Sequence, residues 1–233
     1  MSEAAAVKIG DGCSAVGVAA LQPRLDKRAS ELDVAYRASM DEALGHLRRT
    51  GAADRGKRAG DRAPDFMLAD RGGRPVTLSG LLRQGPVVLS FFRGEWCSFC
   101  RLEMDALIEA TPDIAARGGR LVMVSPQGPT EALLRQAHDI PGLTVLRDPM
   151  NGVGLQYGLV FRMPDILRRA LLAVGVDLTH HYGSDSWLLP IPATYVIGAD
   201  GMIALAHVEP DFTKRLEPDV ILEALQALGP ERG

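Results

Sequence analysis

Residues 87–92 form an apolar run, Val-Val-Leu-Ser-Phe-Phe, broken only by Ser90 and ended by Arg93-Gly94. So short a run between glycines reads as a strand rather than a helix, and its apolar character says that both of its faces are covered. A strand without a solvent face needs helices packed on either side, so the run commits the chain to an α/β layer architecture. Directly after it come Glu95-Trp96-Cys97-Ser98-Phe99-Cys100-Arg101-Leu102-Glu103, where apolar spacing turns helical. The strand thus hands two cysteines to the first turn of a helix, where unpaired N–H groups and a partial positive charge stabilise a thiolate.

The rest of the chain supplies the layers. Residues 25–50 carry apolar side chains at intervals of three and four, which predicts an amphipathic helix or helix pair. The polar, glycine-rich stretch 51–60 reads as a linker. A helical extension with its linker is therefore expected over 1–58 and an α/β domain over 59–233, the extension docking on the domain or on a second subunit as a homodimer. Within the domain, 63–69 and 75–78 read as extended pieces around a turn, and Ser79 as the cap of a short helix over 80–83. The cysteine helix should stop at Gly118-Gly119, followed by a strand over 120–125, a helix over 130–138, a strand over 143–146 and a helix from Asp148-Pro149 to Tyr157. Residues 161–187 interrupt this alternation with a helix over 164–174 and a polar loop over 179–186, a segment placed to form the rim of the site. A hairpin, 193–198 with 203–208, and a helix over 218–228 close the pattern.

Composition narrows the function. A net charge of −3 without any basic block argues against nucleic acid or an anionic membrane as partner. No window reaches the ~18 consecutive apolar residues of a membrane span. The first residues lack the basic and apolar regions of a secretion signal, so the expected setting is cytoplasmic. Three cysteines make no disulfide scaffold, and without further Cys/His pairs a four-ligand zinc site lacks donors. His180-His181 with Asp177 and Asp185 lack ligand spacing and read as surface residues, and Cys13 reads as incidental. Cys97 and Cys100 stand one helical turn apart, where a disulfide can close, with Cys97 at the helix end as the more exposed sulfur.

The stretch from Phe91 to Cys100 resembles the Trp-Cys-x-x-Cys site of the thioredoxin superfamily. The longer frame is similar to its alkyl hydroperoxide reductase / thiol-specific antioxidant branch, the peroxiredoxin-like proteins. Asp61-Arg62-Ala63-Pro64-Asp65-Phe66, Ser125-Pro126-Gln127, Leu146-Arg147-Asp148-Pro149 and Pro192-Ala193-Thr194-Tyr195 carry that likeness along the chain from Asp61 onward. It implies a thioredoxin-like fold, a central mixed sheet flanked by helices, and a peroxidase with no cofactor. A thiolate would attack the peroxide, the sulfenic acid would condense into a Cys97–Cys100 disulfide, and an external thiol donor such as thioredoxin would reduce it.

The two templates divide the site differently. The thioredoxin pattern makes Cys97 the nucleophile; the peroxiredoxin pattern Pro-x-x-x-Thr/Ser-x-x-Cys assigns that role to Cys100 and puts Cys97 where a peroxide-binding hydroxyl belongs and Arg93 where proline belongs. Supporting roles are implied for Trp96 beside the sulfur, for Glu103 as a family acid, and for a cis Ile191–Pro192 bond with Thr194 facing the cysteines. Arg93 is favoured over Arg101 and Arg147 as the activating cation. Beside peroxidase chemistry stand protein thiol-disulfide exchange by Cys97, and a redox-sensing or metal-binding interaction module.

Overall fold

A computed structural model describes residues 20–70, 72–138 and 140–229, so Cys13 lies outside the described residues. In chain order the elements are α1 (Leu21–Ser30), α2 (Val34–Arg49), β1 (Met67–Ala69), β2 (Pro75–Thr77), α3 (Leu78–Leu82), β3 (Val87–Phe91), α4 (Ser98–Ala116), β4 (Arg120–Ser125) and α5 (Glu131–His138). There follow β5 (Leu143–Arg147), α6 (Gly152–Gln156), β6 (Val160–Arg162), α7 (Asp165–Ala173), α8 (Leu178–Tyr182), β7 (Leu188–Pro190), β8 (Ala193–Ile197), β9 (Ile203–Val208) and α9 (Pro218–Leu228).

The five-stranded sheet has the order β5-β4-β3-β8-β9 and is mixed: β3 runs parallel to β4, and β4 to β5, while β8 is antiparallel to both β3 and β9. β3 is central and buried throughout. Its alternation splits the core, with Val88 facing the α4 side and Val87, Leu89 and Phe91 the other. The expected α/β class and central mixed sheet flanked by helices are thus present.

The N-terminal helices pack onto the sheet-bearing part of the chain, α1 against α4 and α2 against α7. Leu21 and Leu25 are fully buried in the same cluster as Cys97 and Cys100, a burial of ~2 kcal/mol for each leucine. The free N–H groups that open α1, those of Leu21 and Gln22, donate to the Glu217 carboxylate at 2.8 and 2.7 Å. Asp33 caps α2 by accepting from the N–H groups of Ala35 and Tyr36.

Several local expectations change. The stretch 51–60 is not a loose linker: it forms a 3-10 turn (Ala52–Arg55), buries Ala52, and Lys57 N–H donates to the Tyr157 carbonyl. Thr77, not Ser79, caps the short helix, because its hydroxyl reaches Gly80 N–H at 3.0 Å while Ser79 N–H is taken by Asp65. Part of the polar loop 179–186 is helical: Asp177 caps α8 through the Thr179 N–H. No cis peptide bond occurs among the described residues, so Ile191–Pro192 is trans. Here Ile191 N–H donates to Leu159 and the Pro192 carbonyl accepts from Glu209, which carries the chain extended from β7 into β8.

Candidate active site

β3 ends where the dithiol begins, and a network fixes the connection. Gly94 has a φ of +134°, and a Cβ there would run into the Gln127 side chain and the Trp96 ring, so glycine is required. Gln127 Oε1 accepts from Glu95 N–H at 2.9 Å, and the Glu95 carboxylate accepts from the N–H and hydroxyl of Thr130 at 2.8 and 2.7 Å. The Arg93 carbonyl accepts from Trp96 Nε1 at 3.1 Å and from the Tyr182 hydroxyl at 2.6 Å. α8 thereby braces the turn, and His181 stacks on Trp96, so the 161–187 segment does form part of the rim.

Cys97 is the N-cap residue of α4, and its sulfur accepts from the Cys100 N–H at 3.4 Å. Arg93 Nη2 donates to the same sulfur at 2.9 Å. Its guanidinium lies 3.8 Å from the centroid of the Phe212 ring and 5.2 Å from that of Trp96, two aromatic faces that hold the cation in place without competing for its N–H groups. Of the two cysteines, Cys97 is the more open, as its place at the helix end suggested. It is nonetheless only 4% exposed against 0% for Cys100, because α1, α2 and Phe212 cover the helix terminus. A cavity of about 280 Å³ leads to it, lined by Arg93, Trp96 and Cys97 from the junction, Tyr36 from α2, and Phe212. Cys100 is not on that wall.

Electrostatics separates the two sulfurs. Burial raises the Cys97 thiol, but the Cys100 thiol, the charges of Arg93 and Arg215, and the Cys100 N–H together hold it well below its ordinary range. Cys100 goes well above its own, through burial first and then through its hydrogen bond to Cys97 and that neighbour's charge. The two sulfurs titrate as a pair, with Cys97 the more acidic member.

Behind Cys100 lies a buried ion pair: Arg215 Nε donates to Glu103 Oε2 at 2.6 Å, and Arg215 Nη2 is 3.7 Å from the Cys100 sulfur. Thr194 Oγ1 reaches Glu103 Oε1 at 3.5 Å, so Thr194 serves the acid rather than the cavity. Burial pushes the Glu103 carboxyl up to about 7, with Arg215 pulling against the rise and Cys100 adding to it. A carboxylate poised there can accept a proton at physiological pH.

Among the residues singled out from the sequence, Arg93, Trp96 and Cys97 meet at the cavity, and Cys100, Glu103 and Thr194 meet behind it. Pro192 is not among the cavity-lining residues; the neighbouring Ile191 is covered by Leu47 and Ala52. Arg101 reaches the cavity wall, whereas Arg147 binds the carbonyls of Pro126 and Tyr182. Arg215, Phe212, Tyr182 and Tyr36 were not found from the sequence, since none sits in a motif or within one helical turn of the dithiol. Among the described residues no group of three His, Cys, Asp or Glu could hold a metal ion, and His180 is exposed beside Asp177.

The profile described as "AhpC/TSA family" matches residues 59–206, well over half of the chain. The chain belongs to the AhpC/TSA family. A curated member of its wider kin, the methylamine utilization protein MauD of Paracoccus denitrificans, is 31% identical over 109 residues, or 46% of this chain. The chain spans about half, 52%, of that relative's length. Among solved structures, the peroxidoxin BcpB of Mycobacterium tuberculosis is 24% identical with a TM-score of 0.54, covering 73% of this chain and 97% of its own. A peroxiredoxin-like protein of Aquifex aeolicus is 17% identical with a TM-score of 0.55, covering 74% and 88%. These likenesses show the peroxiredoxin and thioredoxin-like fold. α1 and α2 precede the matched AhpC/TSA region, although they wall its cavity.

Proposed function

We propose that the protein is a thiol peroxidase in which Cys97 attacks and Cys100 resolves. The observation that carries this reading is the position of the Cys97 sulfur: buried, held by an arginine at 2.9 Å, and reached through a cavity of about 280 Å³. Such a site admits hydrogen peroxide or a small organic hydroperoxide far more readily than a loop of folded protein. In the first step the Cys97 thiolate forms an S–O bond with one peroxide oxygen, the O–O bond breaks, and the other oxygen leaves as water or alcohol after taking a proton. Glu103 then accepts the Cys100 proton, the Cys100 sulfur displaces hydroxide from the sulfenic acid, and a Cys97–Cys100 disulfide results. An external thiol donor, thioredoxin or a low-molecular-weight thiol, supplies the two electrons that restore the dithiol. This assignment follows the thioredoxin pattern for the nucleophile and the peroxiredoxin pattern for the reaction.

A second reading, protein thiol-disulfide exchange, is favoured by the lowered Cys97 thiol, which is the first cysteine of its motif. Stopped-flow oxidation of the reduced protein by hydrogen peroxide, run beside an insulin-reduction assay, separates the two. Peroxide rate constants orders of magnitude above those of a free thiol, with slow insulin reduction, fit the peroxidase. Rates no better than a free thiol with rapid insulin reduction would establish the exchange activity instead. A cytoplasmic setting is part of this proposal.

A further inference from the structure

The leaving oxygen of a peroxide departs with a negative charge and must be protonated. Arg93 can hydrogen-bond to it, but a guanidinium does not give up its proton. The Cys100 thiol carries a proton yet stands off the cavity wall. Two residues that carry hydroxyls line the cavity, Ser98 and Tyr36. Ser98 Oγ accepts a hydrogen bond from Arg28 Nε at 3.0 Å, the tie that locks α1 onto the first turn of α4. The Tyr36 hydroxyl makes no hydrogen bond among the described residues, and the ring packs half-buried against the core cluster that contains Cys97.

Tyr36 is also firmly placed. It lies in the first turn of α2, where Asp33 Oδ1 accepts from its backbone N–H at 3.1 Å. The preceding turn is closed by Arg37 Nη2, which donates to the carbonyls of Ala29 and Ser30 at 2.8 and 3.1 Å. Its phenol is kept protonated: burial raises it above its ordinary value of 10.0, and the Cys97 charge adds to the rise while Arg93 opposes it. Water, the conjugate acid of a departing hydroxide, is a far weaker acid than a phenol, so the transfer runs downhill.

We propose that Tyr36, contributed by the helical extension, is a catalytic residue of the peroxide site that protonates the leaving oxygen. The proposal rests on the peroxidase reading. As the Cys97 sulfur bonds to the terminal oxygen and the O–O bond breaks, two electrons pass from sulfur to the peroxide. The departing hydroxide or alkoxide takes the Tyr36 proton, the sulfur is left as sulfenic acid, and solvent reprotonates the tyrosinate. The extension thus supplies a hydroxyl on the cavity wall at a site where the dithiol itself offers none.

The test uses full-length wild type and Tyr36→Phe, which keeps the packed ring. Rate constants are measured for hydrogen peroxide, tert-butyl hydroperoxide and peracetic acid, with iodoacetamide alkylation of Cys97 as a reaction that needs no proton donor. The expected result is a loss of about 10²-fold for the first two, whose leaving groups are poor. Peracetic acid, which expels a stabilised carboxylate, and alkylation should stay within about threefold of wild type. An equal loss for all three peroxides, a parallel fall in alkylation, or no loss at all would overturn the assignment. Replacing Tyr36 by 3-fluorotyrosine, which acidifies the hydroxyl in place, should move the alkaline limb of the peroxide pH profile downward; an unmoved limb counts against the proposal. If wild type itself is no faster than a free thiol, the peroxidase reading fails and this role goes with it, a result visible without any variant.

Discussion

The two sulfurs of the dithiol stand three residues apart on one helix yet occupy opposite environments. Cys97 faces a cavity, receives the Arg93 guanidinium, and is walled by α1, α2 and Phe212. Cys100 is sealed, stands off that cavity, and has the Arg215–Glu103 pair behind it. Much of the front wall is outside the region matched by the family, whereas Cys100, Glu103 and Thr194 lie inside it. The difference shows how a symmetric motif becomes directional: the helix end and the guanidinium of Arg93 make Cys97 the more acidic sulfur, while the Arg215–Glu103 pair stands behind the other.

Removing either sulfur should break the comparison most severely. Cys97→Ser is expected to lower peroxide consumption by at least ~10³-fold, while Cys100→Ser should keep the first oxidation and fail in turnover, as read by single-turnover stopped flow. Next in size, Arg93→Met takes away the cation on Cys97; the thiolate fraction at pH 7 should drop, and iodoacetamide alkylation slow about 10- to 100-fold with its pH profile moved upward. Unchanged alkylation would mean that the helix terminus and the Cys100 N–H suffice.

Glu103→Gln probes the back chamber. In wild type, disulfide formation from the sulfenic acid should accelerate as pH rises through about 7, where Glu103 becomes a base. The variant should lose that inflection and slow the step by about tenfold. The same group has a stability signature: its carboxyl titrates at about 7 when folded against 4.5 as reference, so its contribution is complete below pH 4.5 and lost as pH rises through 7. Urea midpoints at pH 5 and pH 8 should therefore diverge more in wild type than in Glu103→Gln. Smallest is Asp33→Ala, which removes the α2 cap beside Tyr36 and should cost about 1 kcal/mol in chemical denaturation while leaving Cys97 alkylation in place.

The buried strand β3, the dithiol at the head of α4 and the place of Arg93 beside it were legible because continuous apolar spacing, helical spacing and the strand-to-helix break are all local signals. Arg215 was not: it acts on Cys100 across 115 residues of sequence, from the connection between β9 and α9, where nothing local marks it. Tyr182 reaches Arg93 across 89 residues from a five-residue helix whose polar sequence reads as loop. The trans Ile191–Pro192 bond departs from what the resemblance implied, and the hydrogen bonds that hold this chain segment come from Leu159 and Glu209, residues remote in sequence that flank β6 and β9. The depth of Cys97 escaped for a related reason. Helix-end position predicts exposure, and it is the docking of α1, through Leu21, Leu25 and Glu217, together with α2 and Phe212 that covers it.

The assignment on which the rest depends is Cys97 as attacking thiolate and Cys100 as resolving thiol. It is tested most directly by treating Cys100→Ser and Cys97→Ser with one equivalent of hydrogen peroxide in the presence of a dimedone-type probe, and locating the label by peptide mass spectrometry. The account predicts a label on Cys97 in Cys100→Ser and none in Cys97→Ser; a label on Cys100 in Cys97→Ser, with Cys97 unlabelled in Cys100→Ser, would contradict it.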